Sequence, residues 1–470
     1  MSSPAQEFLR SATEKSADLA HRQIIRKGID SYQAAFEGGR SRFLDWQDAR
    51  RRLYEIKWDA INHLDRYLEE FERRVIERGG HVFWAENSEE ACKYIADLAV
   101  ARGVKKIVKS KSMVTEEIHL AHALEKLSIP SIETDLGEYI VWLRNEPPYH
   151  IVTPAMHLTR AQIAALFQEK LGGIDSDDPQ ELVAAARRAL RRDFFSAEMG
   201  ISGANFLIAD SGMIALTTNE GNGRLCTSLP RIHVAVAGIE KILPRLEDLA
   251  AFWPMLATSG TGQPISCYST LVGGPRRPGE PDGPEEFHVV LLDNGRSELL
   301  GDAEKRDILH CIRCGACLNA CPVFRTIGGH TYGTTYPGPI GSVLTPQLRG
   351  LNEFQHLSYA SSLCGACTDV CPVKIDLHHH LLHNRRDAIN TATRPWLERR
   401  AFQIFRWMMM DSRRFAFFGW MARLKMRALY ALGLAGSALD PSRAWTRNHS
   451  APAIPAHSFR ALWRRAHGAN

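Results

Sequence analysis

No window of about 18 uninterrupted apolar residues occurs in this 470-residue chain, so a membrane-spanning helix is not expected. The first stretch, MSSPAQEFLRSATEKSADLAHRQ, lacks an apolar core and a small-residue cleavage site. It gives no sign of a secretory signal, and the expected location is cytoplasmic. A glycine-rich dinucleotide fingerprint placed after a strand is also missing, and no nicotinamide or flavin site is read elsewhere. Nucleic acid is not an expected partner, because no recognition motif accompanies the basic residues. Net charge is small at +5, but it is unevenly spread. From Pro395 to Asn470 there are 13 Lys/Arg against 3 Asp/Glu, whereas the rest carries 45 against 50. The basic character belongs to the tail.

What is present is a globular composition, 44% hydrophobic and 24% charged, in a chain long enough for several domains. A core of that size does not depend on disulfides. Ten cysteines in such a chain therefore point to metal or redox chemistry.

Residues 1–80 read as a helical segment. Trp58, Ile61, Leu64, Leu68, Phe71 and Val75 recur at helical spacing, and Gly79-Gly80 ends the run. From 81 to 300 strand and helix alternate, which predicts an α/β domain with a largely parallel sheet. Strands are expected at HVFWAE, VKKIVKS (104–110), HIVTPA (150–155), on both sides of Asp210-Ser-Gly212, at RIHVAVAG (231–238) and at HVVLLDNG (288–295). A helix is expected over TEEIHLAHALEKL, and a surface loop over the Pro/Gly-rich stretch 273–287. Residues 301–390 form a cysteine-rich module, and 391–470 a basic helical tail.

The cysteines carry the strongest signal. Cys311-Ile-Arg-Cys314-Gly-Ala-Cys317-Leu-Asn-Ala-Cys321-Pro322 has the C-x2-C-x2-C-x3-C-P spacing of two-cluster ferredoxins. Three closely spaced thiolates can wrap one cubane, while the fourth is carried off to ligate the other. A second half follows at Cys364-Gly-Ala-Cys367-Thr-Asp-Val-Cys371-Pro372. The crossed rule gives Cys311, Cys314, Cys317 and Cys371 to cluster 1, and Cys321, Cys364 and Cys367 to cluster 2. Cluster 2 is one cysteine short, the missing position falling at Ser361. A 4Fe–4S cube with a non-cysteine ligand, a three-iron cluster, and an open catalytic iron all fit that gap. Zinc fits poorly, because four-cysteine zinc sites usually come as two separated CxxC pairs. Cys92, Cys226 and Cys267 are isolated. Cys92 reads as core, and Cys226 or Cys267 is a candidate for the absent ligand.

The order of motifs, with SGANFLIADSG and TNEGNGR before the cysteine pair and GGHTYGTTYPGPIG (328–341) between its halves, resembles the lactate utilisation protein B family, the iron–sulfur subunit of bacterial L-lactate utilisation. The resemblance covers nearly the whole chain. It implies an α/β domain like those of the sugar-isomerase and coenzyme A transferase group, followed by an α-helical ferredoxin-like module. It implies an electron-transfer role in oxidising L-lactate to pyruvate. The implied partners are a cysteine-rich protein resembling heterodisulfide reductase subunits and a smaller protein with a related α/β domain. The incomplete second motif is the family's as well. A non-catalytic electron carrier is the favoured reading. A lactate-binding catalytic subunit and a redox-sensing module are the alternatives.

Other motifs are weaker. Glu220 in TNEGNGR is read first as a structural turn residue paired with Arg224, with ligand binding or nucleophilic catalysis as rivals. Lys109-Ser-Lys-Ser112 could hold an anion at a strand–helix junction, against the plainer reading of a solvated loop. His379 and His383, near His378 and His380, lie one helical turn apart and could bind a metal, although exposed helix residues are the simpler reading. The 328–341 stretch suits cluster shielding or docking. The Arg/Trp/Phe-rich tail suits docking on an acidic partner, or attachment to a membrane surface.

Overall fold

The structure, a computed structural model, describes residues 3–390, 396–446, 449–450 and 453–468. It divides into a unit of residues 1–390 and a unit of residues 391–470.

The first unit opens with four helices: α1 (Pro4–Ala17), α2 (Leu19–Arg40), α3 (Trp46–Asn62) and α4 (Leu64–Glu77). Side-chain caps start three of them. Ser3 and Gln6 form a reciprocal box, and Asp18 and Asp45 accept from first-turn amides. The expected apolar stripe is broken at His63, where the chain leaves helical geometry (φ −124°, ψ 37°). Ile61, Leu64, Leu68, Phe71 and Val75 are buried, but the break changes the helical phase and Trp58 is left 49% exposed.

Ten strands follow: β1 (His81–Ala85), β2 (Ile107–Lys109), β3 (Ser131–Glu133), β4 (Met199–Ser202), β5 (Phe206–Ile208), β6 (Met213–Thr218), β7 (Ile232–Gly238), β8 (Ile242–Leu243), β9 (Tyr268–Val272) and β10 (Glu286–Leu292). Six make a wholly parallel sheet in the order β1-β10-β7-β4-β2-β3. Every residue of β7 is buried, as a central strand covered on both faces requires. A second sheet, ordered β8-β5-β6-β9, is mostly antiparallel and contains the hairpin around Asp210-Ser-Gly212. Residues 150–155 are a correction, since HIVTPA forms no strand. Its backbone is satisfied locally instead. His150 Nδ1 accepts from the Val152 amide at 3.0 Å, and the Tyr149 amide donates to the Pro154 carbonyl at 3.0 Å. The helix expected after β2 is split into Met113–Glu117 and Leu120–Glu125 by His119, which has φ 53°.

Between Arg296 and Asn390 the chain winds through short helices, the longest being Gly338–Arg349 and Leu377–Asn390. This region has no core of its own. Ile25, Ile29 and Leu53 of the N-terminal helices pack in one cluster with Leu318, Phe324, Val343 and the buried cysteines. Gly329 is obligatory in that packing, because a Cβ there would lie 1.7 Å from the Tyr149 carbonyl oxygen.

The second unit holds helices Trp396–Met409, Ser412–Ala431, Arg443–Thr446 and Phe459–His467. Trp396, Phe402, Trp420 and Trp463 are exposed on it, and Arg414 lies over the Trp407 ring at 4.4 Å. Among the described residues no helix is long and apolar enough to cross a membrane.

Candidate functional site

The two cysteine motifs fold into matching loops. Arg313 (φ 60°) and Gly315 (φ 79°) flank Cys314, as Leu363 (φ 54°) and Gly365 (φ 80°) flank Cys364. A left-handed conformation at Arg and Leu is costly, and its recurrence at equivalent positions shows that the loop shape is imposed. The shape turns amides toward sulfur. Ala316 N–H serves Cys314 and Ala366 N–H serves Cys364. Phe324 N–H donates to Cys321 Sγ at 3.5 Å, and Ile375 N–H to Cys371 Sγ at 3.3 Å. Such donors stabilise sulfur charge.

Electrostatic neighbourhoods divide the seven cysteines. Cys314 and Cys317 both sense Cys311 and Cys371, whereas Cys321 senses Cys364, and Cys367 senses Cys321 and Cys364. Cys317 also senses Cys367, so the two groups adjoin. Burial raises the thiols, Cys367 to about 11 and Cys371 to about 12, and pushes Cys314 and Cys317 up as well. Cys364 is exposed, and the Ala366 amide and then the Ser362 hydroxyl lower it. Convergent sulfur ligands, five of the seven buried, with amide donors fit an iron–sulfur core, whose iron supplies the positive charge that a buried thiolate needs.

A small cavity borders Cys321, Cys364 and Cys367, and Ser361, Ser362 and His378 also line it. Ser361 Oγ accepts from the Leu363 amide at 3.1 Å, and His378 Nδ1 lies 2.8 Å from Thr368 Oγ1. Cys226 and Cys267 are not among its lining residues. Cys226 is fully buried beside Thr134, and burial pushes its thiol to about 12. Cys267 is exposed, and Cys92 is half-buried with its thiol 3.3 Å from the Ile118 carbonyl.

A buried ionic node ties the loop that carries Cys311 and Cys314 to the α/β sheet. Arg296 binds Glu117 at 2.9 Å and Glu240 at 2.6 Å. Glu240 also faces Arg313 at 3.3 Å, and Arg313 stacks over Tyr336 at 4.7 Å. The Tyr336 hydroxyl donates to Glu117 at 2.6 Å. Lys57 of α3 donates to the Glu240 carbonyl at 2.5 Å. Burial alone would raise the Glu240 carboxyl, but Arg296 and then Arg313 hold it at about 2. The 328–341 stretch contributes Tyr336 to this node and buries Tyr332 against Phe324.

Above the C-terminal ends of β2, β3, β4 and β7 lies a cavity of about 460 Å³. Its walls include Lys111, Glu220, Asn222 and Lys241 from the α/β part, and Arg313 and Cys314 from the first cysteine motif. Crevices at strand C-termini are where open α/β sheets bind ligands.

A LUD domain model matches residues 68–292, and a 4Fe-4S dicluster domain model matches residues 307–375. Lactate utilization protein B of Bacillus cereus (strain AH820) is 43% identical over 96% of this chain and 96% of its own. That of Bacillus thuringiensis (strain Al Hakam) is 42% identical with the same coverage. The chain belongs to the lactate utilization protein B family. A solved DUF162 family protein from Deinococcus radiodurans aligns over 49% of this chain and 98% of that one, at 14% identity and a TM-score of 0.27, too slight a likeness to add to this.

Several side chains of this lactate utilization protein B family member sit otherwise than the motifs suggested. Glu220 does not pair with Arg224. It accepts from the Leu136 amide at 3.0 Å, while Arg224 lies over the Tyr268 ring at 5.8 Å. Burial, and then Asp135, push the Glu220 carboxyl up to about 7. Lys109 is not solvated. It is 1% exposed and meets Glu133 at 2.7 Å and Glu116 at 3.0 Å, with Glu138 at 3.9 Å. Only Lys111 of that motif's two lysines reaches the cavity. His379 groups with Asp376 and His378, whereas His383 packs against the His380 ring at 5.7 Å. The ionic node and Lys241 escaped motif reading, since their residues lie far apart in the chain.

Proposed function

We propose that this chain is the electron-relay subunit of an L-lactate-oxidising system, passing reducing equivalents from lactate oxidation to pyruvate through two iron–sulfur clusters. One observation carries the reading. Cysteines from two distant motifs lie within electrostatic reach of one another, and backbone amides donate to Cys314, Cys321, Cys364 and Cys371. Cys311, Cys314, Cys317 and Cys371 would hold cluster 1. Cys321, Cys364 and Cys367 would hold cluster 2, with Ser361 or His378, both beside that cavity, as a non-cysteine fourth ligand. Bound there, the clusters supply one-electron transfer. The protein's contribution is to hold them next to each other, to exclude water with Tyr332 and Tyr336, and to set the surrounding charge through Arg313 and Glu240.

The partners that fit this role are the two other lactate-utilisation subunits, and the aromatic, basic tail is the surface offered to an acidic one of them. Anaerobic co-purification with those partners, followed by addition of L-lactate, tests the role. Bleaching of the cluster absorbance that requires both lactate and Cys314 is the expected result. Full lactate oxidation by the partners with Cys314→Ala in place would overturn it.

A further inference from the structure

We propose that the cavity over the ends of β2, β3, β4 and β7 binds a small organic carboxylate of the 2-hydroxy or 2-oxo acid class, held by Lys241 and Lys111 beside the loop that carries Cys314. The choice of acid rests on the lactate reading above; the anion site rests on the cavity itself. At about 460 Å³ the cavity is of ligand-binding size. An acid of lactate's size would share it with water.

The lining is built for a singly charged anion. Lys241 is 6% exposed, and its ammonium has no hydrogen-bond or ion-pair partner among the described residues. Glu240 and Cys311 act on it only through space, so no contact neutralises it, and a ligand carboxylate would supply that contact. Lys111 donates to the Val152 carbonyl at 2.7 Å and has no carboxylate partner within ion-pair distance among the described residues. Two further lining residues, Thr217 and Asn222, each have a side-chain oxygen buried without a partner. They suit the oxygen at C2 of such an acid, the hydroxyl donating to Asn222 or a keto oxygen accepting from Thr217. Glu220 and Asp135 also line the cavity. Their carboxyls offset part of the charge of the two lysines, so the lining balances one negative charge better than two, which favours the organic acid. Every one of these groups belongs to the 1–390 unit.

Calorimetric titration of the full chain, purified anaerobically with its clusters, tests the site with L-lactate, pyruvate and inorganic phosphate as separate probes. At least one of the acids should bind saturably, and phosphate should bind more weakly. Lys241→Met should weaken the acid about tenfold or more while iron content and cluster absorbance stay unchanged. Lys111→Met gives the same reading if Lys241→Met loses iron. Three results would overturn the proposal: saturable binding of neither acid, equal affinity in both lysine variants, or phosphate binding as tightly as the acid. If neither acid binds but lactate still reduces the clusters in the assembled system, the cavity proposal falls and the relay stands. If lactate never reduces the clusters there, the relay falls whatever the calorimetry shows.

Discussion

Replacing Glu240 with Gln removes one charge from the centre of the buried node while keeping its shape. Arg296 retains Glu117 at 2.9 Å, so its loss is partial. Arg313 loses the only carboxylate within 4 Å of it among the described residues, and stays buried over Tyr336. Breaking a buried pair from one side costs about 3–5 kcal/mol. The carboxyl's depression offers an independent gauge. Glu240 stands at about 2 against an ordinary 4.5, a difference worth about 3 kcal/mol at neutral pH. Because the folded pKa is depressed, that stability is present above pH 4.5 and is lost as pH falls toward 2. The two routes agree on about 3 kcal/mol for Glu240→Gln at pH 7. Arg313 lies between Cys311 and Cys314, so the unpaired cation should also favour the reduced state of a cluster held there. A shift of about 1.4 kcal/mol is about 60 mV for one electron, so the potential should rise by tens of millivolts. The assay is urea titration of the cluster chromophore together with potentiometry. An unchanged bleaching midpoint and an unchanged potential would refute the claim that the node holds and tunes the loop.

Other outcomes follow from the same geometry. Cys314→Ala should lose cluster 1, with iron per chain falling by roughly half, as read by metal analysis. Lys109→Met leaves Glu133 and Glu138 buried around an apolar stem and should destabilise the 1–390 unit by about 3–5 kcal/mol in denaturant titration. Glu220 behaves oppositely to Glu240. Its folded pKa is raised to about 7, so its ionisation costs stability progressively as pH rises from 4.5 to 7. Glu220→Gln should therefore stabilise the protein at pH 8 by roughly 1–3 kcal/mol, and show no gain at pH 4. Asp135 and Lys111 face the same carboxyl, and the acid-binding affinity should weaken from pH 6 to pH 8 in the parent but less in Glu220→Gln.

Much of the architecture was legible because its signals are local. The helical stripe of α4, the buried run of β7 and the C-x2-C-x2-C-x3-C-P spacing each lie within a short window. β3, β4 and β9 went unread because strands of three to five residues carry little alternation. HIVTPA has strand-like composition, yet the His150 ring takes its amides into a turn. The ionic node joins Glu117, Glu240, Arg296 and Arg313, which only the fold brings together. Lys241 was hidden for the same reason, whereas the cysteines announced themselves through fixed spacing.

The central claim is tested most directly by iron and acid-labile sulfide analysis with EPR on the full chain purified without oxygen. The account predicts roughly seven or eight irons per chain, a matching count of sulfide, and two interacting signals after reduction. Zinc in place of iron, or iron without sulfide, would contradict it.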